Sequence, residues 1–222
     1  MFRSWTALRE AAIELALVQL PGREARFGEP PCADVLEACR AVGDAMRDDL
    51  DEPFALFGHS LGGLLAFELA RCLRREMRVT PRLLVVAAHR APHLRSPRAP
   101  IAELPDAEFL DALTARMHGR SPIPTRHPGL MRLLLQTTKA DYRMAERYEL
   151  VDEPPLDCAI SVFGGADDPH VTHDELEAWR RHTSSTFAHW TLPGDHFFVD
   201  TASDSVCSHM LKDLDQASRR AM

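Results

Sequence analysis

Three residue types that together can activate a nucleophile follow one another along the chain: Ser60, the pair Asp167-Asp168, and His196. The serine sits in Gly58-His59-Ser60-Leu61-Gly62, a G-x-S-x-G pattern between the apolar run "FALF" (54–57) and a helical pattern from Leu61 to Met77. A strand, a tight turn and a helix in that order hold a serine in a strained backbone conformation at the helix N-terminus. The neighbours two places away must be small, and Gly58 and Gly62 are expected to supply the room. The N–H of Leu61 and the positive end of the helix dipole favour an oxyanion there. A serine hydroxyl needs a base, and the base needs an orienting acid. "SVFGGADDPHV" places Asp167 and Asp168 in a turn after an apolar strand, and "HWTLPGDHFF" places His196 after the next strand and its Pro193-Gly194 turn. The implied chemistry is acyl transfer through a covalent serine intermediate. Asp167 and Asp168 both remain open on this reading, since an Asp in such a turn also serves as a turn cap.

The elements that must hold these residues alternate. Short apolar strands are expected at 14–20 ("ELALVQL"), 54–57, 82–88, 158–163 and 188–192, with helices at 33–50, 61–77, 173–182 and 203–214. Such alternation implies a parallel sheet covered by helices on both faces. Between Glu103 and Tyr148 only helical patterns occur, so a helical insertion interrupts the alternation, with the Pro-rich 96–105 as its hinge. One domain over residues 1–222, carrying that insertion at 103–148, is the expected organisation.

Composition excludes other classes. The net charge of −7, with both signs interspersed, does not suit a nucleic-acid partner. No apolar run reaches the roughly 18 residues of a membrane helix. The N-terminal stretch, with Arg9, Glu10 and Glu14, is unlike a secretory signal. Five cysteines without regular spacing suit reduced, buried thiols in a cytoplasm. Cys72 is expected to be buried and inert. His59 occupies the variable place of the serine motif and is expected to pack. Arg71, Arg74, Arg75 and Arg78 close the helix after Ser60 and suit its negative end; docking of an acidic protein is the alternative. His170 and His173 stand three apart, but "DPHVTHDEL" reads as a loop leading to a Thr172 N-cap rather than a metal pair. No metal and no cofactor are expected.

The chain resembles the type II thioesterases of polyketide and nonribosomal peptide synthesis, which are α/β-hydrolases. The likeness rests on "VQLPGREARF" (18–27), "FALFGHSLGGLLAFELAR" (54–71), "AAHRAPHL" (87–94), "KADYRMAERY" (139–148), "GGADDPHVTHDELEAWRRHTS" (164–184) and "PGDHFF" (193–198). It implies an α/β-hydrolase fold with a helical lid. The implied substrate is an acyl group thioester-linked to the phosphopantetheine arm of an acyl or peptidyl carrier protein, and the implied role is editing of stalled chains. Ser60 would then be the nucleophile, His196 the base and later the acid, Asp168 the orienter and Leu61 an oxyanion donor. Asp168 is preferred to Asp167 because it stands fourth in the G-x-x-D-P turn from Gly165, the usual place of the acid in such hydrolases. In the lid, Leu110, Leu113, Met117, Leu130, Met131, Leu134 and Leu135 either line an apolar acyl pocket or pack the lid helices together.

The resemblance also implies a gap. Type II thioesterases begin with a strand and a glycine-rich loop before the segment matched by "FRSW" (2–5), and that loop supplies a second oxyanion donor. The expected fold is therefore N-terminally incomplete, with a mid-sheet gap between the 14–20 and 54–57 strands. A wrongly placed start codon and a truncated relative are the two explanations. A general carboxylesterase, or an inactive chain that only binds carrier protein, are the alternative functions.

Overall fold

The computed structural model describes residues 5, 8, 11–117 and 128–220, apart from the side chains of Pro128 and Leu130. The chain divides into two compact units. The first comprises 1–17, 39–94 and 149–222; the second comprises 18–38 and 95–148.

The first unit is built on four parallel strands in the order β1-β2-β3-β4: β1 (Ala55–His59), β2 (Leu83–Ala87), β3 (Ala159–Gly165) and β4 (Phe187–Leu192). All four lie where the apolar runs predict them. β2 is buried along its whole length, as a strand covered on both faces must be. One face packs on the helix α2 (Leu61–Met77) that follows β1. On the other, Leu83, Val85, Ala87 and Phe163 meet Val206, Cys207 and Met210 of the C-terminal helix Ser203–Arg220. That helix is longer than the predicted 203–214. Trp5 joins this core, its ring set edge-on to Phe57 with centroids 4.7 Å apart.

The predicted strand at 14–20 does not form. No ladder includes it, and Leu15, Leu17 and Val18 are 36, 62 and 58% exposed. An apolar run becomes a strand by pairing, and the sheet leaves β1 as an outer strand with β2 its sole partner among the described residues. The expected mid-sheet gap is likewise absent among the described residues, where the four strands pair without interruption. The predicted 33–50 helix is shorter, α1 (Val35–Ala45) followed by a 3-10 turn at Arg47–Asp49.

The second unit holds α3 (Asp106–Arg116) and α4 (Pro128–Arg147). Its core is Ile101, Phe109, Leu113 and Leu135, with Leu110, Met117, Met131 and Leu134 packed against them. Of the two readings offered for these apolar residues, packing of the helices on one another is the one observed; the side chain of Leu130 lies outside the described residues. Two stretches that carry the family resemblance meet here. Arg23 of "LPGRE" forms a two-point ion pair with Asp141 of "KADYRMAERY", at 2.8 and 3.3 Å. Glu146 of the latter accepts the N–H groups of Ile101 and Ala102, at 2.7 and 3.0 Å.

Among the described residues no helix is long and apolar enough to cross a membrane.

Candidate active site

The site lies within the first unit. β1 ends at His59, and Ser60 takes φ 54° and ψ −124°, a conformation an L-residue rarely adopts, before α2 begins at Leu61. The turn is held from β2: the Ser60 N–H donates to the carbonyl of Ala87 at 2.8 Å. A Cβ at Gly58 would fall on the carbonyl of Gly62, so that glycine is required. Gly62 is not: a Cβ there meets open space. The second close approach is at Gly63, where a Cβ would come 2.8 Å from Val86 Cγ1 and 3.3 Å from His89 Cβ. The sequence expectation for Gly62 thus passes to Gly63, because the helix leans on β2 one residue later. Leu61 opens α2 directly after Ser60, so its N–H has no partner within the helix.

His196 brings its Nε2 within 3.1 Å of Ser60 Oγ, and its Nδ1–H donates to Asp168 Oδ2 at 2.9 Å. That second bond fixes the tautomer, leaving Nε2 as the acceptor for the serine proton. Asp168 Oδ1 accepts the His170 N–H at 2.7 Å. Its side chain is fully buried, which alone would raise its pKa; the bonds from His196 and His170 outweigh burial and hold it below the ordinary value. Asp167 is exposed and takes no part in these bonds. Of the two aspartates, the bond from His196 runs to Asp168.

Two loops carry acid and histidine, and their main chains are laced together. The Ala166 N–H donates to the Leu192 carbonyl at 2.8 Å and the Asp167 N–H to the Gly194 carbonyl at 3.0 Å. Gly194 has φ 122°, and a Cβ on Gly165 would strike the main chain of Gly194 and Asp195. Each glycine is there for a backbone reason.

His59 does more than pack. Its Nε2–H donates to the backbone carbonyl of His196 at 2.7 Å, and its ring lies 5.1 Å from that of His196. Burial lowers its pKa and so favours the neutral ring. The rings of His170 and Phe197 stand edge-on to His196, 4.9 and 5.4 Å away. The motif marks position 59 as variable, so no sequence signal exposes this tie. His170 is thus a neighbour of His196 rather than half of a pair with His173. As expected, Thr172 caps the next helix, α5 (His173–Glu177), in a reciprocal capping box with Glu175. The basic run is also occupied: Arg71, Arg74 and Arg75 all bind Glu153, at 3.0, 3.1 and 2.9 Å, and Arg71 is buried beside Glu68. All five cysteines are buried and none forms a disulfide, Cys72 included.

A strained serine at a helix N-terminus, a histidine on a late loop and a parallel sheet beneath them define the α/β-hydrolase class. Residues 1–214 match the family model described as a thioesterase domain, and the chain belongs to the thioesterase family, hydrolases acting on thioesters. It is 34% identical over 213 residues to the gramicidin S biosynthesis protein GrsT of Aneurinibacillus migulanus, covering 96% of this chain and 83% of that one. A protein named linear gramicidin dehydrogenase LgrE, from Brevibacillus parabrevis, is 38% identical over 210 residues, 93% of this chain and 79% of its own. Among solved structures, RedJ, a thioesterase of prodiginine biosynthesis in Streptomyces coelicolor, superposes with a TM-score of 0.85 at 36% identity, covering 96% of this chain and 84% of its own. The word dehydrogenase finds no counterpart in the turn of this chain. Where a dinucleotide-binding G-x-G-x-x-G has its middle glycine, to let the pyrophosphate approach, this chain has Ser60 between Gly58 and Gly63.

Proposed function

We propose that this chain is a type II thioesterase that clears acyl groups from the phosphopantetheine arm of acyl or peptidyl carrier proteins in the cytoplasm, with Ser60, His196 and Asp168 as its catalytic residues. The observation that carries the reading is the unbroken chain of hydrogen bonds from Ser60 Oγ through His196 to Asp168. Ser60 Oγ attacks the thioester carbonyl carbon while His196 Nε2 takes its proton. Asp168 stabilises the imidazolium and keeps its orientation. The oxyanion of the tetrahedral intermediate is met by the Leu61 N–H and the N-terminal end of α2. The C–S bond then breaks, and His196 returns the proton to the departing thiol. Water repeats the sequence on the acyl-serine and releases the free acid. Five buried cysteines without a disulfide suit a reducing compartment. Relatives at work in antibiotic assembly pathways support the carrier-bound substrate.

The test is hydrolysis of an acyl-carrier thioester, followed by thiol release. Ser60→Ala is expected to abolish turnover while leaving carrier binding intact, and a fluorophosphonate is expected to label Ser60. Labelling elsewhere, with Ser60→Ala still active, would overturn the assignment.

A further inference from the structure

The geometry points to a metal site, separate from the serine site, formed by His173, Glu177 and His189 and suited to Zn2+ or a similar divalent first-row ion. His173 and Glu177 are four apart at the two ends of α5 and so share a face; His189 reaches them from β4. One donor atom from each of the three lies within 4.8 Å of the others. His189 Nδ1 and Glu177 Oε2 are 3.1 Å apart. Two ligands on one tetrahedral zinc, with bonds of about 2.0–2.1 Å, stand about 3.3 Å apart, so this pair is already at a coordination edge. The rings of His173 and His189 are stacked, with centroids 4.4 Å apart and planes at 26°.

The side chain of His189 is only 7% exposed, and its Nδ1, the nitrogen that faces Glu177 Oε2, is the one that would meet the metal. The remaining shell is in place: Arg180 binds Glu177 Oε1 at 2.7 and 2.9 Å, which leaves Oε2 directed at His189. Such a contact orients a ligating carboxylate and offsets part of its charge. Two imidazoles and one carboxylate make a borderline donor set that favours zinc over magnesium or calcium, with a fourth position left for water. Binding would replace the proton between His189 and Glu177 with the metal ion and release that proton to solvent. His173 is exposed, so its ring is free to complete the contact.

The position gives the ion a structural task. α5 follows the loop that carries Asp168, and β4 leads into the loop that carries His196. A metal joining α5 to β4 would clamp the two elements that flank these loops.

The test uses untagged full-length chain, stripped with chelator and kept reduced, titrated with Zn2+ by calorimetry and with Co2+ by visible absorption. One equivalent is expected, with cobalt d–d bands and no thiolate charge-transfer band. His173→Ala and Glu177→Gln, checked for unchanged circular dichroism, are each expected to weaken Zn2+ binding at least about tenfold, in line with loss of a ligand. Ser60→Ala and His196→Ala are expected to bind as the unaltered chain does. No binding at submillimolar Zn2+, binding indifferent to both ligand substitutions, or binding lost in His196→Ala would each overturn the proposal.

Discussion

His59 holds His196 by its main chain: the Nε2–H of the first donates to the backbone carbonyl of the second across 2.7 Å. The residue that precedes the nucleophile therefore helps position the residue that activates it. His59→Phe keeps the ring and removes the donor. A lost hydrogen bond of about 1–1.5 kcal/mol, felt mainly as a misplaced imidazole, is expected to lower kcat about tenfold with KM nearly unchanged. Steady-state kinetics decides the matter, because a merely structural role for His59 would lower the thermal midpoint and leave kcat per folded molecule alone.

The two adjacent aspartates separate cleanly. Asp168→Asn removes the acceptor that sets the His196 tautomer and is expected to cost about 10⁴ in kcat. Asp167 is exposed and uses its backbone N–H rather than its side chain, so Asp167→Asn is expected to cost less than about tenfold, within the usual range for surface substitutions. Parallel measurement of the two variants on one acyl thioester checks the order.

Glycine substitutions test the turn. Gly58→Ala puts a methyl group on the Gly62 carbonyl and is expected to abolish soluble folded protein. Gly62→Ala meets open space inside a helix, where alanine is favoured by about 0.5–1 kcal/mol. Its thermal midpoint is expected to stay within about 4 °C of the unaltered chain. A calorimetric scan of Gly62→Ala beside an expression trial of Gly58→Ala reads both outcomes.

Much of this was legible from residue order. The four paired strands, the strand-turn-helix at Ser60 and the two late loops each have local signals: apolar runs, turn residues and capping pairs. The failures share a cause. "ELALVQL" has the composition of a strand, but strand formation depends on a partner that composition does not encode. The small-neighbour rule gives Gly62 a steric role that belongs to Gly63, since which glycine faces β2 depends on how the helix leans. The tie from His59 to His196 joins residues far apart in sequence, and His189 meets His173 and Glu177 from a different element, where no spacing rule applies.

Stability should fall in mild acid. Burial pushes the imidazoles of His89 and His182 down to about 4, whereas an unfolded histidine titrates near 6.5, at about the ordinary value. Between those values the unfolded chain binds more protons than the folded one. The contribution is therefore complete above about pH 6.5 and is lost progressively as pH falls towards 4. For His89 the limiting slope is about 1.4 kcal/mol per pH unit; His182, partly screened by solvent, adds less. His182 Nε2 and His93 Nδ1 share a 2.8 Å hydrogen bond that needs one of the two to be an acceptor, so protonation of both breaks it. Asp168, whose pKa is lowered, contributes stability above the ordinary carboxylate range that is lost at still lower pH. Urea unfolding at pH 7.5, 6 and 5 is expected to show a falling midpoint, with a shallower fall in His182→Gln.

The lacing of the acid loop to the histidine loop has a consequence for recombination. Its contacts run from Ala166 and Asp167 N–H groups to Leu192 and Gly194 carbonyls, so they carry no side-chain identity. What they do demand is matched loop length and a glycine at 165 and at 194. Fragments exchanged between related chains should therefore cross over safely when both loops travel together, whatever their side chains. A crossover falling between them should fail wherever the donor's loop differs by a single residue in length, even at high overall identity.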